Sequence, residues 1–303
     1  MVAVYHAGMC DSTEVSAGLS PTQRYALAYL AGQCEGPVLD PRLRVTINFH
    51  PDRLHQDAPI LHWLAHDARY RSQFETGTSN GGLTAHAGGA RWQWESRIFG
   101  GAYDNAPPHE RPKYGALDHR RTGAGGSPRF GSAHLRLSAS VVHRSTFCFP
   151  DSVFEPTCFG VAGGCALLDV AARDRRDRLD HYVEAHVHGT LRIPDDIEAL
   201  VLDPCYRGTT IETLAARLGC AVEWHAGFAL EAAAWHHLGA YRGEHIAALG
   251  RVLADGGLLT PLQIGAAART GRYDPQHLKQ VWHCLARYGD RSWPAGDRAG
   301  SAE

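Results

Sequence analysis

The sequence predicts an α+β fold, with a strand-rich middle followed by a helical C-terminal quarter. Three observations predict it. Short β-branched or alternating runs recur between residues 43 and 224. From residue 228 the apolar residues follow helical spacing, in ALEAAAWHHL, EHIAALGRVLAD, PLQIGAAARTG and DPQHLKQVWHCLARYG. Clusters of Pro and Gly separate these runs as turns and loops.

In chain order, residues 1–19 lack periodicity and are expected to be a loose arm. Ser20-Pro21 opens a helix running to about Cys34, because serine caps free N–H groups and proline suits the first helical position. LRVTINF, residues 43–49, is a strand ending at His50-Pro51. A helix over 58–68 and a glycine-rich loop, QFETGTSNGGLTAHAGG, follow. Residues 91–99 fit either helix or strand, and 100–113 is a loop. Strands are expected at 114–119, 130–137, 182–188, 198–202 and 221–224, with a helix at 167–175. The implied organisation is an arm and helix (1–42), a core (43–225), a helical region (226–289) and a polar tail (290–303) expected to be disordered.

Composition narrows the class. A chain of 303 residues buries roughly three quarters of its unfolded surface, enough for a core without staples. The net charge of −2 argues against a large nucleic-acid footprint, and the arginines of 173–178 alternate with aspartates. Eight cysteines form no Cys-x-x-Cys pair, MVAVYHAGMC does not read as a signal peptide, and no apolar run reaches membrane-span length. Reduced thiols, a cytoplasmic location and no membrane partner are the expectation.

Several groupings carry potential chemistry. On a strand, Glu184, His186 and His188 share one face while Val183, Ala185 and Val187 point to a core. Three polar titratable groups on one face need solvent, partners or a metal; a solvated face is the bland alternative. His50 ends an apolar strand, where cleft rims form. Tyr103 and Tyr114 flank a loop and suit a sandwich around a flat ring, or equally a core. Thr78 and Ser79 lie in a run of hydroxyls and glycines able to line a polar ligand. No phosphate loop and no G-x-G-x-x-G follow a strand. His62 and His66 share a helix face, but no Glu follows His62 as in a zinc protease.

Taken in order, these pieces resemble the His-Tyr-Glu branch of the ADP-ribosyltransferase superfamily. The matching residues are His50 at the end of an early strand, Tyr103 in FGGAYD, Glu184 on a late strand, and HVHGTLRIPDDIEALVLDP as its closing hairpin. The resemblance covers roughly residues 43–203 and implies an ADP-ribosyltransferase-like split β-sheet core. It further implies NAD as substrate, with His50 on the adenosine ribose, Tyr103 and Tyr114 stacking on nicotinamide, and Glu184 stabilising the charge that develops on the ribose. Pro51 stands where the branch has a glycine whose backbone contacts the nicotinamide amide; proline has no N–H, and Arg53 is the replacement considered. His186 beside Glu184 is a second departure and suggests an acid or base. The acceptor is expected to be a protein or small molecule rather than nucleic acid, and no metal is expected. Segments such as YRSQFETGTSNGG and SPRFGSAHLRL also resemble an uncharacterised bacterial domain family. Two other readings compete: a metal-dependent hydrolase using His186 and His188 with His50 or Asp52, and a non-enzymatic binding protein whose partner surface is 226–289.

Overall fold

In a computed structural model, residues 18–77 and 82–292 are described. Eight strands form one mixed sheet: β1 Val45–Phe49, β2 Lys113–Leu117, β3 Ala133–Leu137, β4 Ser145–Phe149, β5 Cys158–Val161, β6 Val183–Val187, β7 Ile197–Leu202 and β8 Ala221–Trp224. Their order across the sheet is β8-β7-β3-β1-β2-β6-β4-β5. Every neighbouring pair is antiparallel except β7 with β8 at one edge. The architecture is therefore mixed α/β, with a large sheet and several helices.

Alternation along each strand sorts side chains between two faces. Val45, Ile47, Leu135, Phe147, Val183, Ala185 and Val187 enter one aliphatic core, shared with Leu61 and Leu64 of helix Ile60–Asp67 and Ile211 and Ala215 of helix Thr210–Ala215. The opposite face carries Thr46, Asn48, Tyr114, His134, Thr146, Cys148, Glu184 and His186, as their pairings require. Part of that face is covered by helices Pro21–Ala31 and Ala90–Ile98, through Ala26, Leu30, Trp94 and Ile98. The first of these has the predicted start: Ser20 and Gln23 form a capping box, with Pro21 at the first turn.

The sheet is not continuous at its centre. β1 pairs with β3 as far as Phe49, but with β2 only at Val45↔Leu117 and Thr46↔Ala116. Beyond these pairs β1 and β2 part, and a cleft opens between them.

The C-terminal region packs a second core of Phe228, Trp235, Ile246, Leu259, Val281, Trp282 and Leu285. It braces the sheet. Trp282 donates its indole N–H to the carbonyls of Pro128 and Arg129, and Arg269 pairs with the buried Asp52 at 3.0 Å. Helix Pro261–Arg269 approaches so closely that a Cβ on Gly265 would stand 1.8 Å from Asp52 Oδ2, so a side chain there would displace the carboxylate that Arg269 and Tyr206 hold.

Several expectations are corrected. β4 and β5 were not expected: STFCF is buried on both faces and CFGV holds a glycine, so neither alternates. The start of the 58–68 helix is a short hairpin, Leu54–His55 with Ala58–Pro59. Residues 91–99 resolve as helix, and AAAWHH is a 3-10 segment rather than an α-helix. Asp290 does not begin a loose tail. It is buried, bridges to Phe228 and pairs with Arg178 at 2.7 Å. Residues 293–303 of the tail lie outside the described residues, as does nearly all of the arm.

Candidate active site

The cleft at the parting of β1 and β2 has a volume of about 200 Å3. Its floor combines Ile47, Asn48 and Phe49 of β1 with Lys113, Tyr114 and Gly115 of β2. Trp63 and Leu64 of helix Ile60–Asp67 form one wall. Arg91 reaches in from helix Ala90–Ile98, and Asp151, Ser152, Tyr182 and Glu184 close the far side.

Glu184 is the centre of the polar network. Its Oε1 contacts His186 Nε2 at 3.1 Å, its Oε2 accepts from the Ser152 hydroxyl at 3.0 Å, and Arg91 Nη1 lies 3.8 Å away. Burial alone would raise its pKa. The His186 hydrogen bond, the Arg91 charge and the Ser152 hydroxyl outweigh burial and hold the carboxyl below its ordinary value. Glu184 is therefore ionised at neutral pH although only 5% exposed.

Two chains of hydrogen bonds converge on it. In one, the Tyr103 hydroxyl donates to His188 Nδ1 (2.6 Å), His188 Nε2–H to Thr146 Oγ1 (3.2 Å), the Thr146 hydroxyl to His186 Nδ1 (3.1 Å), and His186 Nε2–H to Glu184. In this direction each ring and the Thr146 hydroxyl gives one hydrogen and takes one, ending on the carboxylate, which defines the tautomers. Burial, reinforced by His186, Lys113 and Arg144, pushes His188 well below the ordinary histidine value, consistent with a neutral ring. In the other chain, Arg91 Nη1 donates to Ser152 Oγ (2.6 Å), which donates to Glu184.

Arg91 also stacks its guanidinium 4.0 Å over the Tyr114 ring. The Tyr114 hydroxyl donates to Glu95 Oε1 at 2.8 Å, and Arg111 grips the other Glu95 oxygen at 2.6 Å. Burial pushes the Glu95 carboxyl up to about 7, against the pull of Arg111, Tyr114 and Arg91. Two buried polar atoms of the cleft wall, Arg91 Nε and Gln73 Oε1, have no hydrogen-bond partner. Such atoms are costly unless a ligand or water satisfies them.

Of the expected site residues, the structure brings Glu184, Tyr114 and Arg53 to the cleft. Tyr103 does not line it: the ring is fully buried, stacked with His188 and packed edge-on to Phe99. His186 also lies behind Glu184, fully buried, so it orients the carboxylate rather than facing a substrate. His50 sits at the end of β1 against Trp282, ring centroids 4.7 Å apart, and burial lowers its pKa to about 4. Thr78 and Ser79 lie outside the described residues, although Gln73 and Thr76 just before them line the cleft.

Arg91, Asp151 and Ser152 were missed. The hydrogen bonds Arg91–Ser152, Ser152–Glu184 and Tyr182–Asp151 join residues 31 to 61 positions apart, a distance no local pattern encodes.

His62, half-buried, and His66, exposed, stack on one helix face, centroids 6.4 Å apart. Among the described residues, one group of three possible metal ligands has its ligand atoms within 4.8 Å: Cys148, Glu184 and His186. It differs from the His186–His188 set, because both His188 nitrogens are taken by Tyr103 and Thr146, and Asp52 is taken by Arg269 and Tyr206. A cation at the trio would also face the nearby Arg91 guanidinium.

The fold and cleft define a mixed α/β protein with a buried, ionised carboxylate where its sheet divides. Residues 44–166 and 160–288 match the model of a family described as a protein of unknown function, DUF3626, and the chain belongs to that family. No curated protein matches it. Among the described residues, no helix is long and apolar enough to cross a membrane.

Proposed function

We propose that the protein binds NAD⁺ in this cleft and breaks its nicotinamide–ribose bond, acting as an ADP-ribosyltransferase with Glu184 as the catalytic carboxylate. One observation carries the reading: a buried glutamate fixed by two hydrogen-bond chains at the parting of a sheet. The parting resembles the split sheet expected of that superfamily, with Glu184 on the strand next to β2.

The chemistry follows from charge. As the bond to nicotinamide breaks, its electron pair leaves with the ring nitrogen and positive charge develops on the ribose. A preorganised carboxylate stabilises that charge more in the transition state than in the ground state. Tyr114 offers an aromatic wall. Arg91 and Gln73 line the cleft with their Nε and Oε1 buried and unpartnered; turned toward the cleft, these atoms would donate to and accept from a carboxamide, which carries one acceptor oxygen and one donor nitrogen. This gives Arg91 the role that Pro51 prevents the backbone from playing and that Arg53 was expected to fill.

The cleft is smaller than the roughly 300–1,000 Å3 of an ordinary ligand pocket, so it suits one end of a dinucleotide. An adjoining groove of about 520 Å3 shares Arg69, Tyr70 and Lys113 with it; Arg69 pairs there with Glu75 and Lys113 is held on the His109 and Gly189 carbonyls, so the groove offers room for the rest of the dinucleotide. Titration with NAD⁺ in a calorimeter, with free nicotinamide quantified in parallel, tests the reading. Saturable binding and nicotinamide release are expected; neither binding nor release would overturn it.

The competing hydrolase reading keeps one specific observation, the Cys148–Glu184–His186 trio. Stoichiometric metal in purified protein, lost with the Cys148→Ser substitution, would favour it.

A further inference from the structure

Glu184 is not the only carboxylate in the cleft. Asp151 lines it as well, delivered by the turn that follows β4, the strand beside β6. Cys148 pairs in register with Glu184, and three residues later Asp151 begins a 3-10 turn, Ser152–Phe154. Its neighbour Ser152 bridges Arg91 and Glu184. Asp151 is held on both oxygens: Oδ1 accepts from the Val153 N–H at 2.9 Å, and Oδ2 faces the Tyr182 hydroxyl. Two fixed carboxylates in one cleft can divide two tasks, one stabilising charge and the other taking a proton.

Resting on the NAD⁺ reading, we infer that Asp151 is a second catalytic residue: the base that takes the proton of an O–H acceptor, with water as the simplest such acceptor. The bond between ribose C1′ and the nicotinamide nitrogen breaks, and its electron pair leaves on neutral nicotinamide. The acceptor oxygen forms the new bond to C1′, and its proton passes to Asp151 and then to solvent. With water the products are ADP-ribose, nicotinamide and a proton, so the reaction balances without a further reactant.

Charge in the cleft selects the acceptor class. Arg69 pairs with Glu75 and Arg71 with Asp67, while Arg91 already stands beside Glu184 and Ser152 where an acceptor must enter, so a guanidinium or ammonium acceptor is disfavoured there. A carboxylate acceptor has no proton to lose and would need no base. A neutral hydroxyl fits both facts. Burial, followed by the Glu184 charge, raises the Asp151 carboxyl above its ordinary value, while Tyr182, the Val153 N–H and Arg129 pull it back. A base with a raised pKa accepts a proton more readily at neutral pH. Cys148, Tyr182, Glu184 and Arg129 are the titratable or charged groups acting on it from the neighbouring elements.

The experiment measures nicotinamide release from NAD⁺ by the full chain, with and without sodium azide, an anionic nucleophile that needs no base. Asp151→Asn is expected to slow release into water by about 10²-fold or more, and azide is expected to restore it with formation of a ribosyl azide. Glu184→Gln is expected to be slow under both conditions. Equal rates for Asp151→Asn and the unmodified protein, or a slow variant that azide does not rescue, would overturn the assignment while leaving the NAD⁺ reading intact. No release by the unmodified protein would remove both. If Asp151→Asn does not fold, Tyr182→Phe decides. Losing its hydrogen bond raises the Asp151 pKa, so the acid limb of the rate profile should move to higher pH with turnover kept on the alkaline side. An unmoved limb would contradict the role.

Discussion

The two faces of the sheet are built by different means. On one, Val183, Ala185 and Val187 of β6 join an aliphatic core, and each fully buried Val or Leu contributes roughly 1.5–3 kcal/mol. On the other, Glu184 and His186 of the same strand are equally buried yet polar. Buried polar groups stabilise nothing unless each is satisfied, and here Tyr103, His188, Thr146 and Ser152 satisfy them in sequence. One face therefore supplies stability and the other supplies a charge of fixed position. Substitutions on the two should separate stability from turnover.

The largest effect expected on the aliphatic face comes from Leu135→Ala. Leu135 is fully buried in β3, and truncation should cost about 2–5 kcal/mol, read by denaturant unfolding. Nicotinamide release per folded molecule should be unchanged. A specific loss of turnover would show that the two faces are not independent.

Thr146→Val sharpens the other side. It keeps shape but removes the hydroxyl between His188 and His186. His186 then loses the donor that fixes its tautomer. Turnover should fall about tenfold, equivalent to roughly 1.4 kcal/mol, with unfolding stability lowered by about 1 kcal/mol and Thr146→Ser restoring both. Nitrogen-15 shifts of the two rings should report Nε2–H tautomers in the unmodified protein and a mixture in the valine variant.

A smaller effect concerns pH. Burial is the leading cause that lowers His134, on the polar face, to about 3, and lowers His50 to about 4 and His283 to about 3. All three remain neutral in the fold, whereas in the unfolded chain they take up protons below about 6.5. Their folded pKa values are depressed, so stability present above pH 6.5 is lost as pH falls from there toward 3. The thermal midpoint should drop by several degrees between pH 7.5 and 5, and less so in His134→Asn. A midpoint flat over that range would contradict their neutral burial.

The same contrast explains what the sequence made legible. Alternation in VEAHV gave the two faces of β6, because a strand with one aliphatic and one polar side has period two. The C-terminal helices were legible from spacing and starts such as Asp274-Pro275, where Asp274 accepts from the Gln276 N–H at 2.6 Å. β4 was not, because Ser145, Thr146 and Cys148 are buried as deeply as Phe147 and Phe149. Glu184, singled out from its strand face, and Tyr114, from its place beside a loop, both line the cleft. Tyr103 was misplaced because a tyrosine beside glycines looks the same whether it faces a ligand or a buried histidine. Arg91 and Asp151 owe their place to contacts across the fold, to Ser152 and Tyr182, which no short motif contains.

The most direct test of the central claim compares Glu184→Gln with the unmodified protein in a nicotinamide-release assay, both shown to be folded by circular dichroism. Glutamine keeps the size and the acceptor oxygen but not the charge. The account predicts release by the unmodified protein and a fall of about 10²–10³-fold in the variant, with NAD⁺ binding largely retained. Equal release by both would remove Glu184 from the chemistry and contradict the account.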